Sequence, residues 1–262
     1  MTRKILYLLI LSTFAVSCVP KKDLVYFQGE PTPTSEVYKL ANQAYRLQVN
    51  DILDVKIKAA DQEKVSLFNQ TETTGVQGNQ QGEQTLYFTS YTVDRQGKIR
   101  FPYIGEVNVL GYTEKEVRQK IEDKLKTYFK DLDDIFVTVK LAGIRYTVIG
   151  EVGQNGSKVL YQNQVNIVEA IANAGDITLT GNRKKVQIWR KNIDGTKKYN
   201  LDLTDVETFN HEAFYIQSND IIYVEPLKQK SWGTGATGAQ SFSTIISVLS
   251  LLTTSVLLIK NL

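Results

Sequence analysis

The chain has 262 residues, with 31 Lys and Arg, 28 Asp and Glu, one His, one Cys and one Met. A zinc site built from Cys and His needs three or four such ligands. The chain has only one Cys and one His, so a zinc site of this kind is excluded. The formal net charge is only +3, and no concentrated basic face of the kind that binds nucleic acid is evident. We therefore expect no metal, no cofactor and no nucleic-acid partner.

The N-terminus has the pattern of an export signal. Two basic residues precede an apolar run from Ile5 to Val16, which is shorter than the roughly 20 residues that span a bilayer. The single Cys of the protein ends the stretch Ala15-Val16-Ser17-Cys18, which resembles a bacterial lipobox. The resemblance implies a signal peptide over residues 1–17, lipid attachment at Cys18 and an outer-membrane destination. The alternative is an ordinary secreted protein that carries one unmodified Cys.

Residues 18–44 contain three prolines and many polar residues, which predicts a lipidated N-terminal tether with little regular structure. Leu53, Val55 and Ile57 alternate with polar residues and indicate a half-buried strand. Residues 61–84 are rich in Gln, Asn, Gly and Thr, so we expect a long solvated loop there.

A first α+β module is predicted over residues 45–142. Strand patterns cover 86–93 and 98–101, with a turn between them that makes the second the hairpin partner of the first. A capping box formed by Thr113 and Glu116 begins a helix. One face of that helix is predicted to carry Val117, Ile121, Leu125 and Tyr128. A strand over 135–141 completes the module.

A second module is predicted over residues 143–226. A strand reaches Gly150, and a capping box of Asn166 and Glu169 begins a helix over 167–174 that Gly175 ends. Further strands are indicated at 186–188 and 221–224. A small sheet crossed by one helix is the pattern of a β-grasp-like domain.

The residues of the two modules resemble two known domains, in the expected order. The first set resembles the polysaccharide biosynthesis/export domain: Tyr45-Arg46-Leu47, Asp51–Val55, Asp94–Ile99, Phe101-Pro102 and Gly111–Thr113. The second set resembles the SLBB domain, a soluble ligand-binding β-grasp: Ile149–Gly153, Val168–Ile171 and Asn219–Val224.

The resemblance implies a non-enzymatic outer-membrane lipoprotein of the Wza type, with periplasmic domains. Such proteins form a homo-oligomeric ring that exports capsular or exopolysaccharide from the periplasm to the cell surface. An inner-membrane polysaccharide co-polymerase and outer-membrane lipid are the implied partners. The alternative function is a non-pore glycan-binding or scaffolding lipoprotein with a C-terminal tail anchor.

Residues 227–262 are predicted to form a linker and a C-terminal transmembrane helix, which completes the expected α+β fold. Phe242–Ile259 contains no charged residue, and as a helix it would be about 27 Å long, close to the hydrocarbon thickness of roughly 30 Å. Trp232 and Lys260 are expected at the two membrane interfaces.

Polar residues in this helix follow alternating steps of three and four and therefore share one stripe. The stripe consists of Gln240, Ser243, Ser247, Ser250 and Thr254. Two interpretations are open. The hydroxyls satisfy carbonyls of their own helix or contact one neighbouring helix, or they line a water-filled lumen shared by several copies. The family resemblance favours the lumen.

No catalytic group is predicted. His211 lies in a polar stretch without a second His or Cys as partner. Asp51 and Asp54 would face opposite sides of a strand, and Asp131, Asp133 and Asp134 lack the remaining ligands of a calcium loop. A carbohydrate-active enzyme is disfavoured because no carboxylate pair can be placed.

Overall fold

The computed structural model describes residues 20–30, 44–69, 88–129, 134–192, 195–231 and 238–261. Cys18 and Trp232 lie outside these residues, so the predicted lipid attachment and the first membrane interface remain predictions. The first module comprises residues 44–142, and the second module comprises residues 143–227. The buried apolar side chains of both modules form one contiguous core.

The first module contains a three-stranded antiparallel sheet and a separate hairpin. Its strands are β1 (Ile52–Ala59), β2 (Tyr91–Thr92), β3 (Lys98–Phe101), β4 (Gly105–Asn108) and β5 (Ile135–Leu141). The sheet has the order β2-β1-β5, while β3 pairs with β4. The predicted β1 and β5 are confirmed, because alternate apolar side chains of each strand are buried.

Several predictions for the first module are wrong in part. Of the loop expected over 61–84, residues 70–84 lie outside the described part of the chain, and residues 61–69 include a helix, α1 (Gln62–Ser66), whose Asp61 cap accepts a hydrogen bond from the Glu63 N–H at 3.1 Å. It forms because Val65 and Phe68 are buried in the core. Of the strand expected over 86–93, residues 86 and 87 lie outside the described part of the chain, and the described remainder is a strand only at β2. The predicted hairpin partner is wrong, because β2 pairs with β1 and β3 pairs forward with β4.

The predicted helix of the first module is α2 (Glu114–Leu125), and its capping box is confirmed. Thr113 Oγ1 accepts from the Glu116 N–H at 3.3 Å, and Glu116 Oε2 accepts from the Thr113 N–H at 2.7 Å. Val117, Ile121 and Leu125 are fully buried. The placement of Tyr128 on this face is wrong, because the helix ends at Leu125 and the Tyr128 side chain is 52% exposed.

The second module is a five-stranded mixed sheet crossed by one helix. Its strands are β6 (Ile144–Gly150), β7 (Gly156–Leu160), β8 (Val165–Asn166), β9 (Gly181–Asn192), β10 (Gly195–Leu201), β11 (Tyr215–Ile216) and β12 (Ile221–Pro226). The sheet order is β10-β9-β12-β6-β7, with β12 and β6 parallel. The small pair β8–β11 lies apart from it. The expected α+β class is thus confirmed.

Local chemistry fixes the helix and the parallel pair of this module. Helix α3 (Ile167–Asn173) begins at the predicted capping box of Asn166 and Glu169. The buried Tyr146 hydroxyl of β6 donates to the Ala170 carbonyl of α3 at 3.0 Å, which fixes the helix over the sheet. At Gly150, φ is +99° and an added Cβ would meet the Val224 carbonyl oxygen at 2.1 Å, so only glycine permits this close approach.

Part of the predicted tether packs against the second module. In residues 20–30, the N–H groups of Phe27 and Gln28 donate to the carbonyls of Leu203 and Thr204 at 3.1 and 2.6 Å. The Phe27 ring lies 4.7 Å from that of Phe209. The chain is therefore held on the second module within ten residues of the predicted lipid-attachment site.

The C-terminal residues form the helices α4 (Lys228–Ser231) and α5 (Gly238–Asn261). The predicted helix is thus observed. Among the described residues, however, no helix combines the length and the apolar content needed to cross a membrane. The prediction of a transmembrane helix is therefore not supported.

Candidate functional site

The residues weighed for catalysis lie apart. His211 follows a short 3-10 helix, where its Nδ1 accepts from the Ala213 N–H at 3.0 Å and partial burial lowers its pKa. Asp51 precedes β1, whereas Asp54 lies on β1 at 3.4 Å from the Lys56 ammonium. Within the described ranges there is no group of three or more His, Cys, Asp or Glu side chains suited to a metal ion.

The two modules meet through two copies of one turn. The first copy is Gln48-Val49-Asn50-Asp51-Ile52 and the second is Gln217-Ser218-Asn219-Asp220-Ile221. The Asn residues have φ values of +70° and +68°, a left-handed conformation that Asn tolerates. Each Asp accepts from the N–H of its own Gln, at 2.7 Å in the first turn and 2.8 Å in the second. The same turn thus leads into β1 and into β12.

The paired turns, as we call these two segments, face each other across the boundary between the modules. Gln48 Nε2 donates to Gln217 Oε1 at 2.6 Å. Asp51 is only 2% exposed and accepts from the Tyr45 hydroxyl at 2.9 Å, and Ser218 of the opposite turn lies near its carboxylate. Burial raises the pKa of Asp51, and its hydrogen bonds oppose that rise. These contacts join the two modules directly.

The second turn also holds a buried ion pair. Asp220 accepts from Arg190 Nε at 3.0 Å and from Nη2 at 2.7 Å, and the side chains of Asp220 and Arg190 are 0% and 6% exposed. Arg190 Nη2 also donates to the Tyr215 carbonyl at 3.0 Å. The guanidinium therefore joins β9, β11 and the turn before β12 in a fixed geometry.

A cleft of about 530 Å³ lies beside the paired turns. Its walls come from both modules, and the lining residues include two tyrosines, three glutamines and two residues of opposite charge: Tyr45, Arg46, Gln48, Gln164, Glu212, Tyr215 and Gln217. We refer to it as the inter-module cleft. Sequence reasoning missed it, although the repeated Gln-x-Asn-Asp-Ile motif was a visible signal that two equivalent turns could pair.

The polar stripe predicted in the C-terminal helix lies on α5. The Ser247 hydroxyl donates to the Ser243 carbonyl at 2.9 Å, and that of Thr254 donates to the Ser250 carbonyl at 2.8 Å. The local interpretation is thus observed for these two hydroxyls. Gln240 and Lys260 belong to α5, but their side chains lie outside the described part of the chain, so their predicted roles remain predictions.

Large apolar side chains of α5 are exposed in the single chain. The exposed fraction of these side chains ranges from 51% to 70%, and they are Ile246, Val248, Leu251, Leu257 and Leu258. Exposed apolar surface of this extent on one helix marks a contact surface for another molecule.

Comparison with known proteins places these features in a family. Residues 39–142 match the family model for polysaccharide biosynthesis/export proteins, and residues 145–224 match that for the SLBB domain. The EPS I polysaccharide export outer membrane protein EpsA of Ralstonia solanacearum is 29% identical over 139 residues, covering 52% of this chain and 36% of that protein. A protein of the same name from Ralstonia nicotianae is 29% identical over 140 residues. The chain therefore matches only 36% of the length of these curated relatives.

Proposed function

Because the chain belongs to the polysaccharide biosynthesis/export family, we propose that it exports capsular or exopolysaccharide from the periplasm to the cell surface. In this proposal it is a lipoprotein of the outer membrane and a subunit of an oligomeric channel. The observation that carries the proposal is the ordered match of both domains across residues 39–224. The names of the two Ralstonia relatives are consistent with it.

The oligomeric state is supported by the surface of α5. One helix per chain cannot enclose an opening, and the Leu251 and Leu258 side chains are exposed in the single chain. Helices of neighbouring copies would bury them. The stripe of Gln240, Ser243, Ser247, Ser250 and Thr254 would then line the shared opening or contact the next helix. Since Ser247 and Thr254 already donate within α5, their oxygens would act there as acceptors.

The proposed partners follow from the direction of transport. An inner-membrane polysaccharide co-polymerase would deliver the polymer to the periplasmic modules, and polymer synthesis would supply the driving energy.

Loss of the gene is expected to remove the polysaccharide from the cell surface, and expression of the full chain is expected to restore it. Immunostaining of surface polymer measures both effects. Unchanged surface polysaccharide in the deletion strain would contradict the export role.

Lipid attachment at Cys18 gives a second prediction. Pro20 lies two residues later, a span of at most about 7 Å, so the lipid would hold the second module close to the membrane surface. Replacing Cys18 with Ala is expected to abolish incorporation of radiolabelled palmitate and to release the protein from the outer-membrane fraction, because the acyl chains are lost. Ser17→Ala, which keeps the Cys, serves as the control. Persistent labelling of Cys18→Ala would refute this site.

A non-pore glycan-binding or scaffolding lipoprotein is the second candidate function. It is favoured by the hydroxyls of Ser247 and Thr254, which are satisfied within their own helix. The two candidates differ in assembly, since a scaffold needs no closed ring of subunits.

A further inference from the structure

We propose that the inter-module cleft binds a sugar unit of an uncharged glycan chain. The proposal rests on the export function proposed above and assigns to that function a site for its substrate class. The cleft has a volume of about 530 Å³, within the range of roughly 300–1,000 Å³ that is common for ligand sites. It opens where two modules meet, a frequent position for such sites.

Unused hydrogen-bonding groups of the cleft are mainly amides. The bond from Gln48 Nε2 to Gln217 Oε1 leaves the Gln48 oxygen as an acceptor and the Gln217 nitrogen as a donor. Gln164 adds a third amide, and its side chain makes no hydrogen bond to any residue that the structure describes. Sugar hydroxyls both donate and accept, so amides that offer both groups are suitable partners.

The charges of the cleft favour a neutral ligand. The lining contains one cation, Arg46, and one anion, Glu212, so it has no formal net charge. Each is already engaged: Arg46 Nη1 donates to the Gly111 carbonyl at 2.8 Å, and Glu212 pairs with Lys197 at 2.8 Å. Because Glu212 in the lining and Glu116, 3.8 Å from Arg46 Nη1, offset the charge of Arg46, the cleft offers a uronic acid carboxylate no net electrostatic attraction, whereas a neutral hexose or N-acetylhexosamine needs none.

Both modules contribute an aromatic side chain to the wall of the inter-module cleft. Tyr45 belongs to the first module and Tyr215 to the second, and both contribute to the lining. The Tyr45 hydroxyl is held by Asp51 at 2.9 Å, and the Tyr215 ring packs edge-on to Phe214 at 5.2 Å. The apolar face of a sugar ring packs well on such rings. A bound sugar would therefore contact both modules and stabilise their junction.

The test uses the full-length chain in detergent and titration calorimetry with cellobiose, maltose and N,N′-diacetylchitobiose, and with a galacturonic acid disaccharide as the charged comparison. At least one neutral disaccharide is expected to bind saturably and more tightly than the charged one. Hydrogen exchange should then slow in segments 44–48 and 212–217. Gln164→Leu, which removes the amide but keeps the size, is expected to weaken binding about fivefold. Gln162→Leu, an exposed site outside the cleft, is the matched control.

Each outcome is decisive. Failure of every neutral disaccharide to bind, tighter binding of the charged disaccharide, protection elsewhere, or equal weakening by Gln164→Leu and Gln162→Leu would overturn the cleft proposal. Those results would leave the export function standing if loss of the gene still removes surface polymer. Conversely, saccharide binding in the cleft of a protein whose loss leaves export unchanged would support the site and contradict the export function.

Discussion

Replacing Asp220 with Ala is expected to lower the free energy of unfolding by about 3–5 kcal/mol. The substitution leaves the Arg190 guanidinium buried without its counter-ion, since Arg190 is only 6% exposed in the present pair. It also removes the acceptor for the Gln217 N–H that closes the second turn. Urea unfolding of the full chain, followed by circular dichroism, measures the loss.

Two controls separate this effect from ordinary loss of charge. Glu212→Ala removes a pair with Lys197 in which the Glu212 and Lys197 side chains are 63% and 51% exposed, and should cost less than about 1 kcal/mol. The double variant Asp220→Leu with Arg190→Met removes both buried charges and should recover much of the stability. If Asp220→Ala costs no more than Glu212→Ala, the buried pair does not stabilise the junction of β9, β11 and the second turn.

Removal of residues 238–262 is expected to abolish assembly and export while the two modules stay folded. The core is built from residues of the two modules and, among the described residues, includes no α5 side chain, so the truncated chain should keep its unfolding midpoint. Loss of α5 removes the exposed apolar side chains that neighbouring copies would bury. Sedimentation of the purified protein and staining of surface polymer measure the two losses.

Point substitutions refine this second prediction. Leu251→Ser together with Leu258→Ser changes two side chains of α5 that are 70% and 60% exposed and should reduce assembly. Leu179→Ser changes a leucine of the second module that is 53% exposed and should leave assembly unchanged. Full assembly of the truncated chain, or equal losses with Leu179→Ser, would show that α5 is not the assembly element.

Elements with complete local signals could be predicted from the sequence. Helices α2 and α3 each begin at a capping box, and this signal is contained in four consecutive residues. The strand β1 follows from strict alternation of apolar and polar residues. Helix α1 could not be predicted, because three apolar residues, Val65, Leu67 and Phe68, are too few to establish a helical period in a polar stretch. Alternation does not specify which strand is the partner, so it could not predict that β3 pairs with β4 while β2 pairs with β1.

The candidate site was less accessible to sequence reasoning because it is made of long-range contacts. The bond between Gln48 and Gln217 joins residues 169 positions apart, and no local pattern predicts it. Asp51 was considered as a reactive carboxylate, whereas it is buried at the module boundary. For α5 the helix itself was predictable, but its environment depends on molecules other than the single chain.

In the proposed function, several copies of the chain form a closed channel. The most direct test is the mass and shape of the full-length protein after gentle detergent extraction, measured by light scattering and electron microscopy. A ring of subunits with a central opening is expected, and the chain lacking residues 238–262 is expected to form none. A monomer or dimer of the full-length chain under the same conditions would contradict the claim.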